Sequence, residues 1–341
     1  MAELIEIGDL DELLRATDRL CDATEWSTLV ELRDRCRTAV ERGKQLWPAA
    51  NHMEYRLALE SPGDIAALML TDVAGQFGLG PLAEVTAAGH EWSELAPFAP
   101  RTPPAATCLY ERVVRGEDLV AAALPGPDPF ELPRLLCGWE PPYPVAEYRP
   151  HGADFPSPGP TPGGVATELH DDAERIAHTG VARTLRDLVH PWTADGDATA
   201  VAVRGDARAA IGALDGPEVR LSEVDLATAL GWLGWAGASG GAHGRRRGAA
   251  AGRLDAWMVL AELVDLGDTW PPDPEELGER AQRMRWFVWD AMGIGPTGWI
   301  LRVAVEDPER GLAFALSAHD PASSRSGPPA PASLGGSTPG V

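Results

Sequence analysis

Apolar residues in the first third of the chain recur at the spacing of amphipathic helices. The clearest example begins at Thr28, after which apolar positions alternate steps of three and four: Leu29, Leu32, Cys36, Ala39, Gly43 and Leu46. The same period continues from Leu10 to about Asp118, and prolines and glycines divide it into helices of about 10–20 residues. We therefore predict that residues 1–124 form an all-helical N-terminal unit.

The C-terminal half contains the alternating pattern of half-buried strands. The sequences WILRVAV and LAFALSA place apolar residues at every second position, and Pro308 and Gly311 between them favour a turn. These features predict an antiparallel hairpin over residues 298–318. The sequence ATAVAVRG alternates in the same way and predicts a strand at 198–204. Since a stable sheet needs three strands or more, we expect this strand and the hairpin to share one sheet.

Helical patterns separate these strands. They cover residues 173–189, 223–236, 246–266 and 274–291. Strands separated by helices and closed by a hairpin are typical of a sheet covered by helices. The predicted fold class is therefore α+β: the all-helical N-terminal unit is followed by a helix-rich C-terminal unit, residues 169–321, with a small antiparallel or mixed sheet.

Proline dominates the segment between the two units. Twelve prolines lie between Pro125 and Pro162, and each one fixes φ and removes a backbone donor. The segment also contains apolar residues, so we predict a connection over residues 125–168 that lies partly along a domain surface.

Residues 322–341 contain no aromatic side chain and are rich in Ser, Pro and Gly, which predicts a disordered tail.

The net charge of −22 limits the partners of the chain. It repels phosphate backbones and anionic lipid headgroups, so we expect no nucleic-acid partner and no membrane partner. The N-terminal sequence MAELIEIGDLDELL is acidic, unlike a secretory signal, and no apolar run approaches the roughly 20 residues of a membrane span. The four cysteines show no CxxC spacing, which favours reduced thiols. These features predict a soluble cytoplasmic protein.

One stretch, residues 235–253 (WAGASGGAHGRRRGAAAGR), combines six glycines with four arginines. A glycine-rich loop that leads into a helix can present backbone N–H groups and the positive end of the helix dipole to an anion. Arginines add planar donors that suit carboxylate or phosphate. The predicted ligand-binding residues are Gly240, Gly241, His243, Arg245, Arg246, Arg247 and Arg253. They indicate a binding or regulatory protein that holds an anionic small molecule or an acidic peptide.

An alternative interpretation leaves this stretch without a ligand. In an acidic protein, a solvated basic loop offsets nearby carboxylates.

The stretch also lacks the lysine of the Walker pattern and the βαβ setting of the dinucleotide-binding loop, so we predict no cofactor.

Residues 237–241 (GASGG) also match GxSxG, the nucleophile-elbow pattern of serine hydrolases. In this second alternative Ser239 is the nucleophile and His319 is the base. The pattern needs a strand immediately before the serine, whereas the preceding LATALGWLGWA indicates a helix. A strained serine between a strand and a helix would favour the enzyme, and a loop between two helices would favour binding.

Metal binding has a weaker pattern. Five residues could share one face of a helix and hold a cation: His170, Asp171, Asp172, Glu174 and His178. Because acidic residues are common at helix starts for dipole reasons alone, we predict no metal site.

Eight of the twelve tryptophans lie in the C-terminal unit. Tryptophan fills cores and also forms the walls of binding sites. An aromatic-walled pocket beside the arginines is therefore an open alternative to simple core packing.

Two segments of the C-terminal unit are distinctive: ASGGAHGRRRGAAAGR and WILRVAVEDPERGLAFALSAHDP, with a tryptophan-bearing helical pattern between them. They resemble a family of uncharacterised actinobacterial proteins, closely in the C-terminal unit and loosely in the N-terminal part. The resemblance implies a domain of unknown function and identifies no catalytic residue. Only Lys44 is a lysine among the 29 basic residues, which is typical of GC-rich coding and agrees with that origin.

Overall fold

The computed structural model describes most of the chain. The described ranges are 2–71, 78–158, 163–169, 173–177, 179–194, 196–214, 218–291 and 298–322. Apart from Ala322, the predicted tail lies outside these ranges, and so do four of the five residues considered for metal binding: His170, Asp171, Asp172 and His178. Among the described residues, no helix combines the length and the apolar character that crossing a bilayer requires.

The N-terminal region is helical, which confirms the predicted class of this part of the chain. Its helices are α1 (Ala2–Ile7), α2 (Leu10–Asp22), α3 (Trp26–Glu41), α4 (Trp47–Glu60), α5 (Gly63–Ala66), α6 (Leu82–Gly89), α7 (Trp92–Leu95) and α8 (Pro103–Val114), with a 3₁₀ turn at Ala67–Met69. Helix α3 buries four positions of the predicted apolar stripe: Leu29, Leu32, Cys36 and Ala39. Helix α4 packs between α3 and α6, and α6 packs against α8.

The proline-rich segment lies against these helices. It contains an antiparallel hairpin of β1 (Glu147–Arg149) and β2 (Gly152–Asp154). The hydroxyl of Tyr55 on α4 donates to the carbonyl oxygen of Arg149 at 2.5 Å, and the carbonyl oxygen of Gly152 lies 3.2 Å from the same hydroxyl. The hairpin is therefore fixed to the helical surface through its backbone.

One hydrophobic cluster runs through all three parts of the chain. It contains Leu109 of α8, Tyr143 of the proline-rich segment and Trp257 of the C-terminal half. The buried core is thus continuous across the segment. The division of the chain after residues 124 and 168 stays a prediction.

Seven strands form one antiparallel sheet in the C-terminal half. They are β3 (Val165–Glu168), β4 (Glu174–Arg175), β5 (Asp197–Arg204), β6 (Glu218–Val224), β7 (Arg285–Ala291), β8 (Trp299–Asp307) and β9 (Leu312–Asp320). Their order is β3-β6-β7-β8-β9-β5-β4. The predicted hairpin is β8–β9, in which Val303 faces Leu316, and Leu316 in turn faces Ala200 of β5. The prediction that the hairpin shares its sheet with strand 198–204 is therefore confirmed.

Five helices accompany the sheet. They are α9 (Gly180–Val189), α10 (Ala207–Gly212), α11 (Leu226–Ala238), α12 (Ala249–Leu263) and α13 (Pro274–Gln282). Helices α9 and α11 cover one face of the sheet and α10 covers the other. Helix α12 packs against α9 and α11 and also against α8. It thus joins the helical layer over the sheet to the N-terminal helices.

The sheet is larger than predicted, and this corrects the expectation of a small one. Residues 285–291, within the predicted helix 274–291, form the interior strand β7 between β6 and β8, and the short strand β4 begins the predicted helix 173–189. Strand β7 is apolar on both faces, with Trp286 in one hydrophobic cluster and Phe287 and Trp289 in another. When both faces are buried, the two-residue alternation disappears, and a short apolar run no longer distinguishes a strand from a helix.

Candidate ligand-binding cleft

The stretch of glycines and arginines forms the end of α11, a turn over residues 239–248 and the start of α12. The turn folds back on itself, because a Cβ atom on Gly244 would overlap the carbonyl oxygen of Gly240. Gly248 has a φ of 102°, and a Cβ atom there would overlap a carboxylate oxygen of Glu111. Glycine at these positions therefore permits the tight turn and the approach of a carboxylate to the start of α12.

Arg246 is held by a carboxylate of the N-terminal helices. Its Nε and Nη2 atoms donate to the two oxygens of Glu84 on α6, at 2.8 and 2.7 Å. The hydroxyl of Tyr148 donates to the same carboxylate at 2.7 Å, and the guanidinium lies over the Phe155 ring at 5.0 Å. The Glu84 side chain is fully buried and that of Arg246 is 8% exposed. This is a desolvated bidentate ion pair, which is a strong form of hydrogen bonding.

The start of α12 binds two carboxylates. The backbone N–H of Ala249 donates to Oε1 of Glu84 at 3.2 Å, and that of Ala250 donates to Oε1 of Glu111 on α8 at 2.9 Å. The first N–H groups of a helix have no partner within it and carry the positive end of its dipole. Nη1 of Arg115 donates to Oε2 of Glu111 at 3.1 Å. The helix start therefore binds two carboxyl groups, and both belong to side chains of the protein itself.

The two carboxylates differ in their affinity for a proton. Burial and the charge of Glu84 raise the pKa of Glu111 to about 7. Burial opposes ionisation of Glu84 as well, but the charge and hydrogen bonds of Arg246 outweigh it and lower the pKa of Glu84. Of the two, Glu111 is therefore the one that holds a proton near neutral pH.

Two more arginines of the stretch have carboxylate partners. Arg247 pairs with Asp255, and its Nη1 atom donates to the carbonyl oxygen of Gly237 at 3.2 Å. Arg253 is fully buried, and its Nε and Nη2 atoms donate to the two oxygens of Glu140 at 2.8 Å each. Arg246, Arg247 and Arg253 thus contact three separate carboxylates. This is the arrangement expected when arginines offset nearby acids.

The fourth arginine, Arg245, is exposed and lies at a cleft of about 670 Å³. We name this space the turn cleft. The turn lines one side of it through Gly240, Gly241 and the two arginines at 245 and 246, and Phe155 and Trp299 line it as well. Its volume lies in the range of small-molecule sites, roughly 300–1,000 Å³. Four of the seven predicted ligand-binding residues therefore meet at one cleft.

The other three predicted ligand-binding residues are placed differently. His243 is exposed on the turn, and it does not belong to the described lining of the cleft. Arg247 and Arg253 point their guanidinium groups at Asp255 and Glu140 instead.

A second cavity, of about 490 Å³, adjoins the turn cleft, since Phe155 and Trp299 line both spaces. Its lining includes Trp232 and Trp235 of α11 and Trp289 of β7. The Trp235 ring stacks on Trp299 with centroids 4.8 Å apart, and Trp232 meets Trp235 edge-on at 5.5 Å. Within the described structure, the indole N–H groups of Trp232 and Trp235 are buried without an acceptor. An aromatic-walled pocket therefore lies beside the arginines.

Ser239 is not placed as a nucleophile elbow. Helix α11 precedes it and α12 follows the turn, so the strand that the pattern requires is absent at this point of the described chain. Its φ of −86° and ψ of 150° are ordinary extended values, and its hydroxyl accepts the N–H of Gly241 at 2.8 Å. His319 lies on β9, where it faces Asp197 and Ile300 of the neighbouring strands. The geometry is the helix-to-helix loop that favours binding over hydrolysis.

Asp320 anchors the turn, although no sequence motif marks it. Its Oδ2 atom accepts the N–H groups of Ala242 at 2.8 Å and Thr193 at 3.1 Å. Burial opposes its ionisation, but the hydrogen bonds from Thr193 and Ala242 lower its pKa. The last strand of the sheet therefore fixes the turn through a charged group.

Comparison with known proteins places the chain in a family. Residues 11–321 match the model of a family of unknown function, DUF6183, and the match includes the helices α3 to α8, the turn and the sheet. No curated protein and no solved structure matches the chain. The chain therefore belongs to DUF6183, which agrees with the expected domain of unknown function.

Proposed function

We propose that this member of a family of unknown function is a binding protein whose turn cleft holds an anionic small molecule with a flat apolar part. The observation that carries the proposal is the composition of the cleft. Glycine backbone and Arg245 lie on one side of about 670 Å³, and the rings of Phe155 and Trp299 contribute the apolar surface. Small-molecule sites combine apolar walls with a few polar groups that fix the orientation of the ligand.

Arg245 is the residue that recognises the anionic group. Its guanidinium is always protonated, and its planar donors suit a carboxylate or a phosphate. Arg246 also lines the cleft, but both of its hydrogen-bonded nitrogens contact Glu84. Arg246 therefore fixes the wall of the cleft. A cleft of about 670 Å³ is of the size that small molecules occupy, which favours a small molecule over an acidic peptide.

The rings favour a planar part of the ligand. Phe155 and Trp299 lie between the turn cleft and the tryptophan-lined cavity, so one ligand can contact both spaces. Aromatic rings gain from offset stacking and from edge contacts with other rings. The buried indole N–H groups of Trp232 and Trp235 are further donors at this end.

Paired probes test the requirement for an anion. We would measure binding of benzoate and benzamide, and of adenosine monophosphate and adenosine, by thermal shift followed by calorimetry. We expect at least one anion to bind about tenfold or more tightly than its neutral counterpart, because a charge-assisted hydrogen bond contributes roughly 1.5–3 kcal/mol.

A matched pair of variants tests the role of the arginine. Arg245→Gln should remove the preference for the anion, whereas Arg208→Gln, at an exposed position on α10, should leave it unchanged. Equal binding of charged and neutral probes by the wild-type protein, or an unchanged preference in Arg245→Gln, contradicts the proposal.

A further inference from the structure

The fold brings together three side chains that commonly bind transition metals. Asp18 on α2, His52 on α4 and His151 in the turn of the β1–β2 hairpin form the one such group among the described residues, with their ligand atoms within 4.8 Å of one another. The Nε2 atoms of His52 and His151 lie 3.8 and 3.7 Å from Oδ1 of Asp18. The two imidazole rings stack, with centroids 6.0 Å apart.

The sequence contains no signal for this group, because its three residues lie on three separate elements. The hairpin brings His151 to the helices, and the contact of Tyr55 with the carbonyl oxygen of Arg149 fixes the hairpin there. His52 and Tyr55 both lie on α4, so the residue that fixes the hairpin is adjacent to a potential ligand.

The charges around the group suit a divalent cation. Oδ1 of Asp18 accepts a hydrogen bond from Nη1 of Arg56 at 2.5 Å, and Nε of Arg56 donates one to Glu60 at 2.7 Å. Two carboxylates therefore surround one guanidinium, so the three groups together carry one net negative charge. A bound metal cation would offset this charge.

We propose that Asp18, His52 and His151 bind Zn²⁺, which fixes the connecting hairpin to the N-terminal helices. Zinc accepts imidazole nitrogen and carboxylate oxygen at about 2.0–2.2 Å, so tetrahedral ligand atoms lie about 3.3 Å apart. The two separations between imidazole nitrogen and Asp18 exceed this by about 0.4–0.5 Å, and all three ligand atoms lie within 4.8 Å of one another. The His151 side chain is 66% exposed on a turn, so it can close that difference and leave a fourth position for water. Magnesium and calcium prefer all-oxygen sites and fit this group poorly.

Zinc titration of the tag-free, chelator-treated full-length protein tests the site. We expect one equivalent of Zn²⁺ to bind, and His52→Ala and His151→Ala to weaken binding about tenfold or more. The control is His190→Ala, an exposed histidine after α9, which should bind like the wild type. Cobalt, used as a spectroscopic substitute, should give ligand-field absorption in the wild type that His151→Ala lacks.

Zinc should also raise the melting temperature of the wild-type protein more than that of His151→Ala, and magnesium should raise neither. Since His151 is exposed on a turn, its variant should fold, as circular dichroism can check. Undiminished zinc binding by His151→Ala, absence of binding by the wild type, or an equal effect of magnesium overturns the proposal. These results are independent of ligand binding in the turn cleft.

Discussion

Helix α12 contacts two buried charged clusters that differ in the number of carboxylates they contain. The N-terminal cluster surrounds the helix start and consists of Glu84, Glu111, Arg115, Tyr148 and Arg246. The central cluster surrounds the second turn of the helix and consists of Glu140, Tyr143, Arg253 and Trp257. Both lie in the core, and both join α12 to elements that precede it in the sequence.

The central cluster has a single acid with many donors. The Glu140 carboxylate accepts two bonds from Arg253, one from the indole of Trp257, one from the hydroxyl of Tyr143 and one from the N–H of Cys137. Burial opposes its ionisation, but the bond and charge of Arg253 outweigh it and lower the pKa of Glu140. This carboxylate is therefore ionised in the core.

The N-terminal cluster has two acids near one helix start, and their mutual repulsion makes the difference. The Glu111 side chain is buried like that of Glu140, yet burial together with the charge of Glu84 raises the pKa of Glu111 to about 7. The ratio of carboxylates to donors, rather than burial alone, thus decides which acid is ionised.

The largest expected effect concerns the central cluster. Arg253→Met removes the cation and leaves Glu140 charged in the core, which should lower the free energy of unfolding by about 3–5 kcal/mol. The measurement is urea denaturation beside Arg15→Met, which removes a partner of Glu12 in an exposed ion pair and should cost nothing measurable. Similar stability of the two variants would contradict the structural role of Arg253.

The next prediction distinguishes the two clusters by the pH dependence of the free energy of unfolding. The folded pKa of Glu111 lies above its unfolded value of 4.5, so the folded state keeps this proton while the unfolded state loses it. Its contribution therefore falls as pH rises through the window from about 4.5 to about 7 and is constant above it. In Glu111→Gln this decline should disappear. The free energy of unfolding of the variant, relative to that of the wild type, should therefore rise by roughly 2–3 kcal/mol between pH 5 and pH 8. Parallel pH profiles for the variant and the wild type would contradict the raised pKa.

The sequence predicted the local elements well where the large apolar side chains of each element lie on one face. The stripe of α3 and the alternation of β8 and β9 have a period that their surroundings impose, and both predictions are confirmed. Strand β7 lies inside the sheet with large apolar side chains on both faces, so its sequence shows no two-residue period. Strand β7 was missed for that physical reason.

The candidate site, too, could be predicted from the sequence only in part. The glycines and arginines of the turn indicate anion chemistry, but the identity of the anion depends on α6 and α8, which lie more than a hundred residues earlier. One local signal was present, since Glu84 lies in LAEVTAAG, a helix in which it is the one charged residue. A lone acid on an apolar helix indicates a buried partner. The spacing of residues along the sequence does not identify that partner, because Arg246 lies 162 residues after Glu84.

The measurement that tests the central claim most directly is the free energy of unfolding of Arg245→Gln beside Arg246→Gln. These neighbours have the same chemistry and opposite surroundings, because Arg246 is paired with buried Glu84 and Arg245 is exposed at the turn cleft. We predict a loss of about 3–5 kcal/mol for Arg246→Gln and a change within about 0.5 kcal/mol for Arg245→Gln. Equal changes in the two variants, whether large or small, would contradict the division between an arginine that holds the fold together and one that faces a ligand.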